Sequence, residues 1–272
     1  MEKQMSAVSN DTMKSNSPDA ELRCNIQLGA AAELFETAQP EQTLEWAFKE
    51  YGNSLTLATG FGAEGVALID MSAKLNPGID IFFLDTSFLF PETYELRRRL
   101  EDRYGIAIRC YQTDLAPEQQ EISFGPRLWS TDPDLCCRLR KLEPLKDALE
   151  GRSAWITAIR RDQTIERSTA RVVEWDYQWK LVKINPLVRW SKKQVWEYIS
   201  RNNVPYNPLH DRGYPSIGCT NCTVAIGTAE NDRAGRWPGS EKRECGIHWT
   251  QQSPDAGSAR ANPNLERDLV NG

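Results

Sequence analysis

The run Ser54-Leu55-Thr56-Leu57-Ala58-Thr59-Gly60-Phe61-Gly62-Ala63-Glu64-Gly65 decides the fold. Residues 54–59 are rich in apolar and β-branched residues and read as a short buried strand. Two glycines break it, and Ala63–Leu75 continues with helical spacing. The next stretch repeats the order, with a strand at 79–84 and a helix at Pro91–Tyr104 that opens on proline. Further strands are expected at 106–111, 154–159 and Leu181–Ile184. Further helices are expected at Pro40–Tyr51, 137–149 and 191–202, the last with Ser191 as N-cap and Val195, Tyr198 and Ile199 facing inward. Apolar strands alternating with helices predict an α/β fold, a doubly wound, mostly parallel sheet flanked by helices. Ligands of such sheets bind beyond the carboxyl ends of the strands, so the loops that follow the strands are where chemistry is sought.

Composition narrows the class. With 40% hydrophobic and 26% charged residues among 272, the chain reads as an ordinary globular protein. No apolar run approaches the roughly 18 residues of a membrane span. The polar start lacks the apolar block of a signal peptide, so a cytoplasmic location is expected. Residues 1–20 and 250–272 carry no periodicity and are expected to be disordered tails, leaving 21–249 as a single domain. A net charge of −5 disfavours nucleic acid as a partner. Basic residues nevertheless cluster at Arg138, Arg140 and Lys141, at Arg160, Arg161, Arg167 and Arg171, and at Arg233, Arg236, Lys242 and Arg243. Each taken alone reads as a solvated face; together they suit a small anionic ligand.

Four of the seven cysteines form two pairs, Cys136-Cys137 and Cys219-x-x-Cys222, and a fifth, Cys245, lies in Glu244-Cys245-Gly246-Ile247-His248. Paired cysteines without a secretory context point to metal or redox chemistry rather than structural disulfides. Four thiolates suit zinc or an iron–sulfur cluster. Adjacent side chains diverge and meet poorly on one ion, which favours a cuboidal cluster with well-separated corners. The remaining Cys245 is a candidate nucleophile. Cys24 receives no role, and Cys110, within an expected strand, reads as a small buried hydrophobe.

The loops supply the rest. Gly60 and Gly62 let backbone N–H groups face a phosphate at a helix N-terminus, although a tight strand-to-helix turn explains them equally well. Leu84-Asp85-Thr86-Ser87 can contact a ribose or base, or cap a turn. Arg160 and Arg167 flank Arg161-Asp162-Gln163 directly after a strand, offering planar forks to oxyanions or forming a salt-bridged surface loop.

In this order, the Gly62-Ala63-Glu64 loop, Leu84-Asp85-Thr86, Cys136-Cys137 with Arg140-Lys141, Arg160-Arg161-Asp162-Gln163 with Arg167-Ser168, and Asn185-Pro186-Leu187 resemble the reductases of adenylyl sulfate (APS) and phosphoadenylyl sulfate (PAPS). The resemblance continues through Val204-Pro205-Tyr206-Asn207-Pro208-Leu209-His210, Cys219-x-x-Cys222, Arg233-Ala234-Gly235-Arg236-Trp237 and Glu244-Cys245-Gly246-Ile247-His248. It is to the assimilatory, iron–sulfur, APS-reducing branch of that family. It implies an adenine nucleotide alpha hydrolase-like fold and a [4Fe–4S] cluster on Cys136, Cys137, Cys219 and Cys222. It further implies a substrate site drawn from Gly60, Gly62, Leu84, Asp85, Lys141, Arg160, Arg167, Arg233, Arg236 and His248. Cys245, on a catalytic segment at 233–249, would attack the sulfate sulfur, and thioredoxin or glutaredoxin would release sulfite from the S-sulfocysteine. Glu244 should oppose formation of the Cys245 thiolate until the basic pocket closes over it. No nucleic acid or membrane partner is implied, and a homo-oligomer stays open.

The chain departs from the family pattern at Gly60, usually serine, at Gly65, usually an acid, and at Ser87, usually glycine. Serine at 87 requires either a negative φ or a strained turn. The rival readings are PAPS or dual-specificity reduction, an ATP-using adenylating enzyme, for which the Gly60–Glu64 loop is a poor match, and a zinc-stabilised nucleotide sensor.

Overall fold

Leu55 and Leu57 of β1 (Leu55–Thr59) are buried because the strand lies between two neighbours and under helices on both faces. The structure, a computed structural model, describes residues 18–227 and 231–248, with 18–25 as backbone only. The expected tails fall outside these residues, except that 18–20 open a helix.

Two helices precede the sheet, α1 (Pro18–Phe35) and α2 (Pro40–Tyr51). After β1 come α3 (Ala63–Leu75), β2 (Ile81–Asp85), α4 (Pro91–Tyr104) and β3 (Ile108–Gln112). Short helices α5 (Pro117–Phe124), α6 (Leu128–Thr131) and α7 (Pro133–Cys137) lead into a π-helical turn over Arg138–Leu142 and then α8 (Glu143–Leu149). The chain continues through β4 (Ala154–Ile156), β5 (Val173–Asp176), β6 (Leu181–Ile184) and α9 (Lys192–Arg201).

The six strands lie in the order β3-β2-β1-β4-β6-β5. All neighbours pair in parallel except β5, which runs antiparallel to β6. This is the expected mostly parallel α/β sheet. Beyond β1 the sheet grows one way through β2 and β3, then restarts on the other side with β4. The reversal between β1 and β4 is the point where the loops part and leave a crevice for a ligand.

α3 and α4 keep their expected bounds. Proline at the first turn sets the helical φ of α4, and Gly105 ends it in the left-handed conformation. Gly65 is needed for packing: a Cβ there would lie 2.8 Å from the Thr59 hydroxyl, so α3 approaches β1 closely only without a side chain. That contact accounts for glycine where the family places an acid. Three expectations are corrected. β5 was not anticipated, the helix expected at 137–149 is divided by the π-turn, and Cys110 is exposed rather than buried. Cys110 lies on an edge strand whose later residues are largely uncovered.

After α9 the described chain has only single 3-10 turns, at His210–Arg212 and Thr220–Cys222. This segment crosses the carboxyl ends of the strands. Cys219 forms an isolated bridge with Leu89 beyond β2, and His248 stacks on Trp155 of β4 at 5.7 Å. Among the described residues no helix is long and apolar enough to cross a membrane.

Candidate active site

The crevice between β1 and β4 has one lip from each strand's loop. On the β1 side, the space beside Gly60 is open, while Phe61 takes the left-handed conformation (φ 58°) and buries its ring against Phe83. The Thr59 hydroxyl accepts the Phe61 N–H at 3.1 Å, and Gly62 becomes the N-cap of α3. On the β4 side, buried Arg160 pairs with Glu64 across the crevice and donates Nε to Asp162 Oδ1 at 2.8 Å. Its guanidinium is thus engaged by two carboxylates, and it ties the two lips together.

Beyond β2, Asp85 Oδ1 accepts from the Ser87 N–H and from the Tyr94 hydroxyl, both at 2.8 Å. Of the two roles weighed for Asp85, turn capping is the one on display. Ser87 has φ 60°, the left-handed geometry that glycine adopts freely, so the turn is strained by about 1 kcal/mol or more. Arg140, 1% exposed, braces this loop by donating to the carbonyls of Thr86 and Leu115 and to Gln120 Oε1.

The four paired cysteines come together although Cys137 and Cys219 are 82 positions apart. Cys136 and Cys137 end α7, Cys219 and Cys222 flank a 3-10 turn, and all four are buried free thiols. They line one small cavity with Phe88, Trp129, Arg140 and Lys141. Thr86 Oγ1 lies 3.2 Å from Cys219 Sγ. Among the described residues no group of three or more His, Cys, Asp or Glu side chains is arranged to hold a metal ion. A cuboidal cluster makes a different demand, because each thiolate binds its own iron and the sulfurs stay apart. Burial pushes the thiols of Cys136 and Cys222 up, to about 12 and about 11, with neighbouring thiols adding to the effect. Four buried thiols around one small cavity, with two cations in its wall, have the donor chemistry for an iron–sulfur cluster.

Trp237 forms the other wall of this centre. It is 3% exposed, packs with Cys137, Cys219 and Cys222, and donates its backbone N–H to the Cys222 carbonyl at 2.9 Å. Four cations surround its ring, with Arg236 at 4.7 Å, Arg233 and Lys242 at 5.7 Å and Lys141 at 6.0 Å from the centroid. Gly218 leaves room for the Arg236 guanidinium, which a Cβ would strike. In the sequence Trp237 stands out only as the end of the Arg233–Trp237 motif; its role as the hub of the cations is legible only in three dimensions.

Cys245 packs against the same cluster of residues. Burial alone would raise its thiol, but Lys141, the Ile247 N–H and Arg233 outweigh burial and the unfavourable Glu244 charge, and the thiol lies below its ordinary value. The opposition expected from Glu244 is real but contained. Its carboxylate accepts Nε and Nη2 of Arg167 at 2.9 and 2.8 Å, Nη2 of Arg233 at 3.2 Å and the Thr164 hydroxyl at 3.3 Å. Two of the arginines expected to face substrate therefore hold Glu244 instead. Lys141 and Arg236 have no carboxylate partner among the described residues; Arg236 reaches only Ser216 Oγ and the Ile217 carbonyl, at 3.4 Å each. His248 is neutral, its imidazole held well below the usual value by burial and by Arg167, Lys183 and Arg233, and its Nδ1 is buried with no hydrogen-bond partner among the described residues. Leu84, partly buried, packs against the cluster that includes Phe82 and Trp155.

Comparison with known proteins places this geometry. Residues 54–225 match the model of the phosphoadenosine phosphosulfate reductase domain. The chain is 46% identical over 208 residues to the adenosine 5'-phosphosulfate reductase of Lysinibacillus sphaericus, covering 76% of this chain and 89% of the relative. It is 47% identical over 206 residues to adenosine 5'-phosphosulfate reductase 2 of Bacillus subtilis, covering 75% and 87%. Its structure is similar to the crystal structure of phosphoadenylyl-sulfate reductase from Candida auris in a phosphate complex, with TM-score 0.66, 32% identity, and 77% and 98% of the two chains covered. An FMN adenylyltransferase of Candida glabrata with ATP, at TM-score 0.51 and 14% identity over 80% and 69% of the chains, shares the fold alone.

Proposed function

This chain belongs to the phosphoadenosine phosphosulfate reductase domain family, and from that premise we propose that it reduces adenylyl sulfate to sulfite and AMP in sulfate assimilation. The observation that carries the reading is the position of Cys245. Its thiol is lowered by Lys141 and Arg233 and packs against the four-cysteine centre, beside the crevice of a nucleotide-binding type of sheet. Preference for adenylyl sulfate over its 3′-phosphorylated form rests on the relatives named adenosine 5'-phosphosulfate reductase and on the double cysteine pair.

The adenosine would lie along the crevice near Gly60, Gly62, Leu84 and Asp85. Lys141, Arg236, Arg167 and Arg233 would take the phosphosulfate, with His248 orienting the sulfate through its unpartnered nitrogen. Arg160 would serve by holding the two lips in register. The Cys245 thiolate attacks the sulfate sulfur, a new S–S bond forms, the bond from sulfur to the bridging oxygen breaks, and AMP leaves with the electron pair. The basic residues lower the energy of a thiolate approaching a dianion and stabilise charge moving onto the AMP phosphate. A dithiol reductant, thioredoxin or glutaredoxin, then attacks Cys245 Sγ and expels sulfite. Its second thiol displaces Cys245, so the two electrons come from the dithiol. Cys136, Cys137, Cys219 and Cys222 would hold a [4Fe–4S] cluster, which when bound supplies a charged neighbour that tunes Lys141 and the basic pocket. The setting would be the cytoplasm.

The test is sulfite and AMP release from both nucleotides with a reduced dithiol protein, joined to mass analysis of the Cys245 peptide. Faster turnover of adenylyl sulfate and a sulfonate adduct on Cys245 are expected. Faster turnover of the 3′-phosphorylated substrate, or an adduct elsewhere, would overturn the assignment. Anaerobic iron, sulfide and zinc analysis decides the cluster, with zinc alone counting against it.

A further inference from the structure

The cradle formed by Arg167 and Arg233 is filled by a residue of the chain itself. Arg167, its side chain 7% exposed, offers a two-pronged fork, and both prongs end on the Glu244 carboxylate. Arg233 closes the third side on Glu244 Oε2. The same fork geometry serves carboxylate, phosphate and sulfate alike. Arg167 is buried and Arg233 half-buried, and two guanidiniums side by side repel each other unless an anion lies between them. Burial and Arg167 together hold Arg233 down to about 10 even with Glu244 in place. A negative group between the two guanidiniums offsets that repulsion, and Glu244 supplies it.

Glu244 is also the residue before Cys245, so filling the cradle positions the nucleophile. Between buried Trp237 and Glu244 the chain is mostly exposed. Immediately after Cys245, Gly246 has φ 90°, and a Cβ there would lie 3.3 Å from Leu142. Between Trp237 and Gly246 the segment is held by the Glu244 carboxylate, by Lys242 on Asp134 and by the Arg243 carbonyl, which accepts from Arg233 Nη2 at 3.0 Å; of these, Glu244 is the hold next to the thiol.

We propose that Glu244 is a positioning residue that stands in for the substrate oxyanion: it occupies the Arg167–Arg233 cradle in the free enzyme, seats Cys245 there, and is exchanged for the phosphosulfate on binding. The proposal rests on the reading of this site as an adenylyl sulfate site. Lys141 and Arg236, free of carboxylates among the described residues, are the cations an incoming dianion meets first. Glu244 then leaves the cradle, and the substrate's own contacts hold the segment.

The experiment is calorimetric titration of the full-length protein with inorganic sulfate, with sodium chloride at matched ionic strength as control. An internal competitor lowers apparent affinity by the fraction of cradle it occupies, so Glu244→Gln should bind sulfate roughly three- to tenfold more tightly than wild type. In turnover, KM for adenylyl sulfate should fall while kcat also falls, because the thiol loses its anchor. A residue that merely braces the cradle predicts the reverse in binding. Unchanged or weaker sulfate affinity in Glu244→Gln, or an equal gain with chloride, would overturn the exchange. If Glu244→Gln fails to fold, Glu244→Asp, which keeps the charge but shortens its reach, should show a smaller gain of the same sign, and no gain there would overturn it equally. Sulfate binding requires no turnover, so a protein that exchanges sulfate but does not reduce adenylyl sulfate would defeat the functional assignment and leave the exchange intact.

Discussion

The sheet and the segment that crosses it are held by different physics. In the sheet and its helices, Leu57, Ile81, Ile156, Val66 and Leu68 are fully buried, and each such side chain contributes about 1.5–3 kcal/mol by leaving water. From Tyr206 to His248 the described chain has almost no regular structure. It is secured by four cations around Trp237, a short bridge from Thr223 to Arg236, the Glu244 carboxylate and a cavity lined by thiols. Apolar burial is cooperative and indifferent to small ligands. A segment held by charge and thiols responds to every anion, metal or proton that reaches it. The sheet thus supplies a rigid crevice, and the responsive part carries Cys245, the proposed nucleophile.

The largest expected effect sharpens that division. Cys245→Ser should reduce sulfite release to background while leaving nucleotide binding and thermal unfolding as in wild type, because Cys245 lies outside the apolar core. Measurable turnover in that variant would remove the thiol from the chemistry. Next comes a pair of substitutions read by denaturant unfolding. Leu57→Ala should cost about 2–5 kcal/mol, through lost burial and the cavity left behind. Cys219→Ser should abolish iron binding and alter tryptophan fluorescence from Trp237 and Trp129, with a smaller change in global unfolding. Equal losses of stability from both would mean that the two regions fold as one unit and would break the comparison.

The same division marks what the sequence made legible. α3 and α4 stand where periodicity placed them, because Ala63–Leu75 and Pro91–Tyr104 carry apolar faces and clear punctuation. β5 escaped because Val173–Asp176 alternates apolar with acidic residues at the sheet's edge, beside a chain rich in arginine. Its signal was present in that alternation and in the turn before Leu181. The π-turn over Arg138–Leu142 leaves no mark in spacing that a regular helix would not share. In the site, the cysteine pairs and the basic residues could be named one by one. Which arginine meets which carboxylate could not, since Arg167 and Glu244 are 77 positions apart and only the fold brings them together. Ser87 was legible as a conditional, and its φ of 60° selects the strained alternative.

A smaller effect probes the cation hub. Trp237→Leu keeps an apolar side chain but removes the ring face, which is worth about 1–2 kcal/mol where the cations are desolvated. Lys141, Arg233 and Arg236 should then lose their common orientation. kcat/KM should fall by roughly five- to thirtyfold, the rate equivalent of that energy, and the cavity left by the smaller side chain should lower the unfolding temperature as well. A variant with wild-type kcat/KM would show that the cations are placed by other contacts.

The smallest effect is a proton linkage at the pin itself. Burial would raise the Glu244 carboxyl, but Arg167, Arg233 and the hydrogen bonds from Arg167 and Thr164 outweigh it, and the group lies below the ordinary carboxylate value. A depressed folded value means that the unfolded chain takes up the proton first. The stabilisation is therefore complete above the ordinary carboxylate range and is lost as pH falls through the lowered folded value. Glu244→Gln imitates the protonated side chain at every pH. The difference in unfolding free energy between wild type and this variant should be largest near neutrality and shrink toward zero in acid, whereas the Leu57→Ala difference should show no such linkage. A Glu244→Gln difference that stays constant down through the carboxylate range would mean that the carboxylate charge does not hold the segment, and the contrast between burial in the sheet and charge in its cover would lose its clearest case.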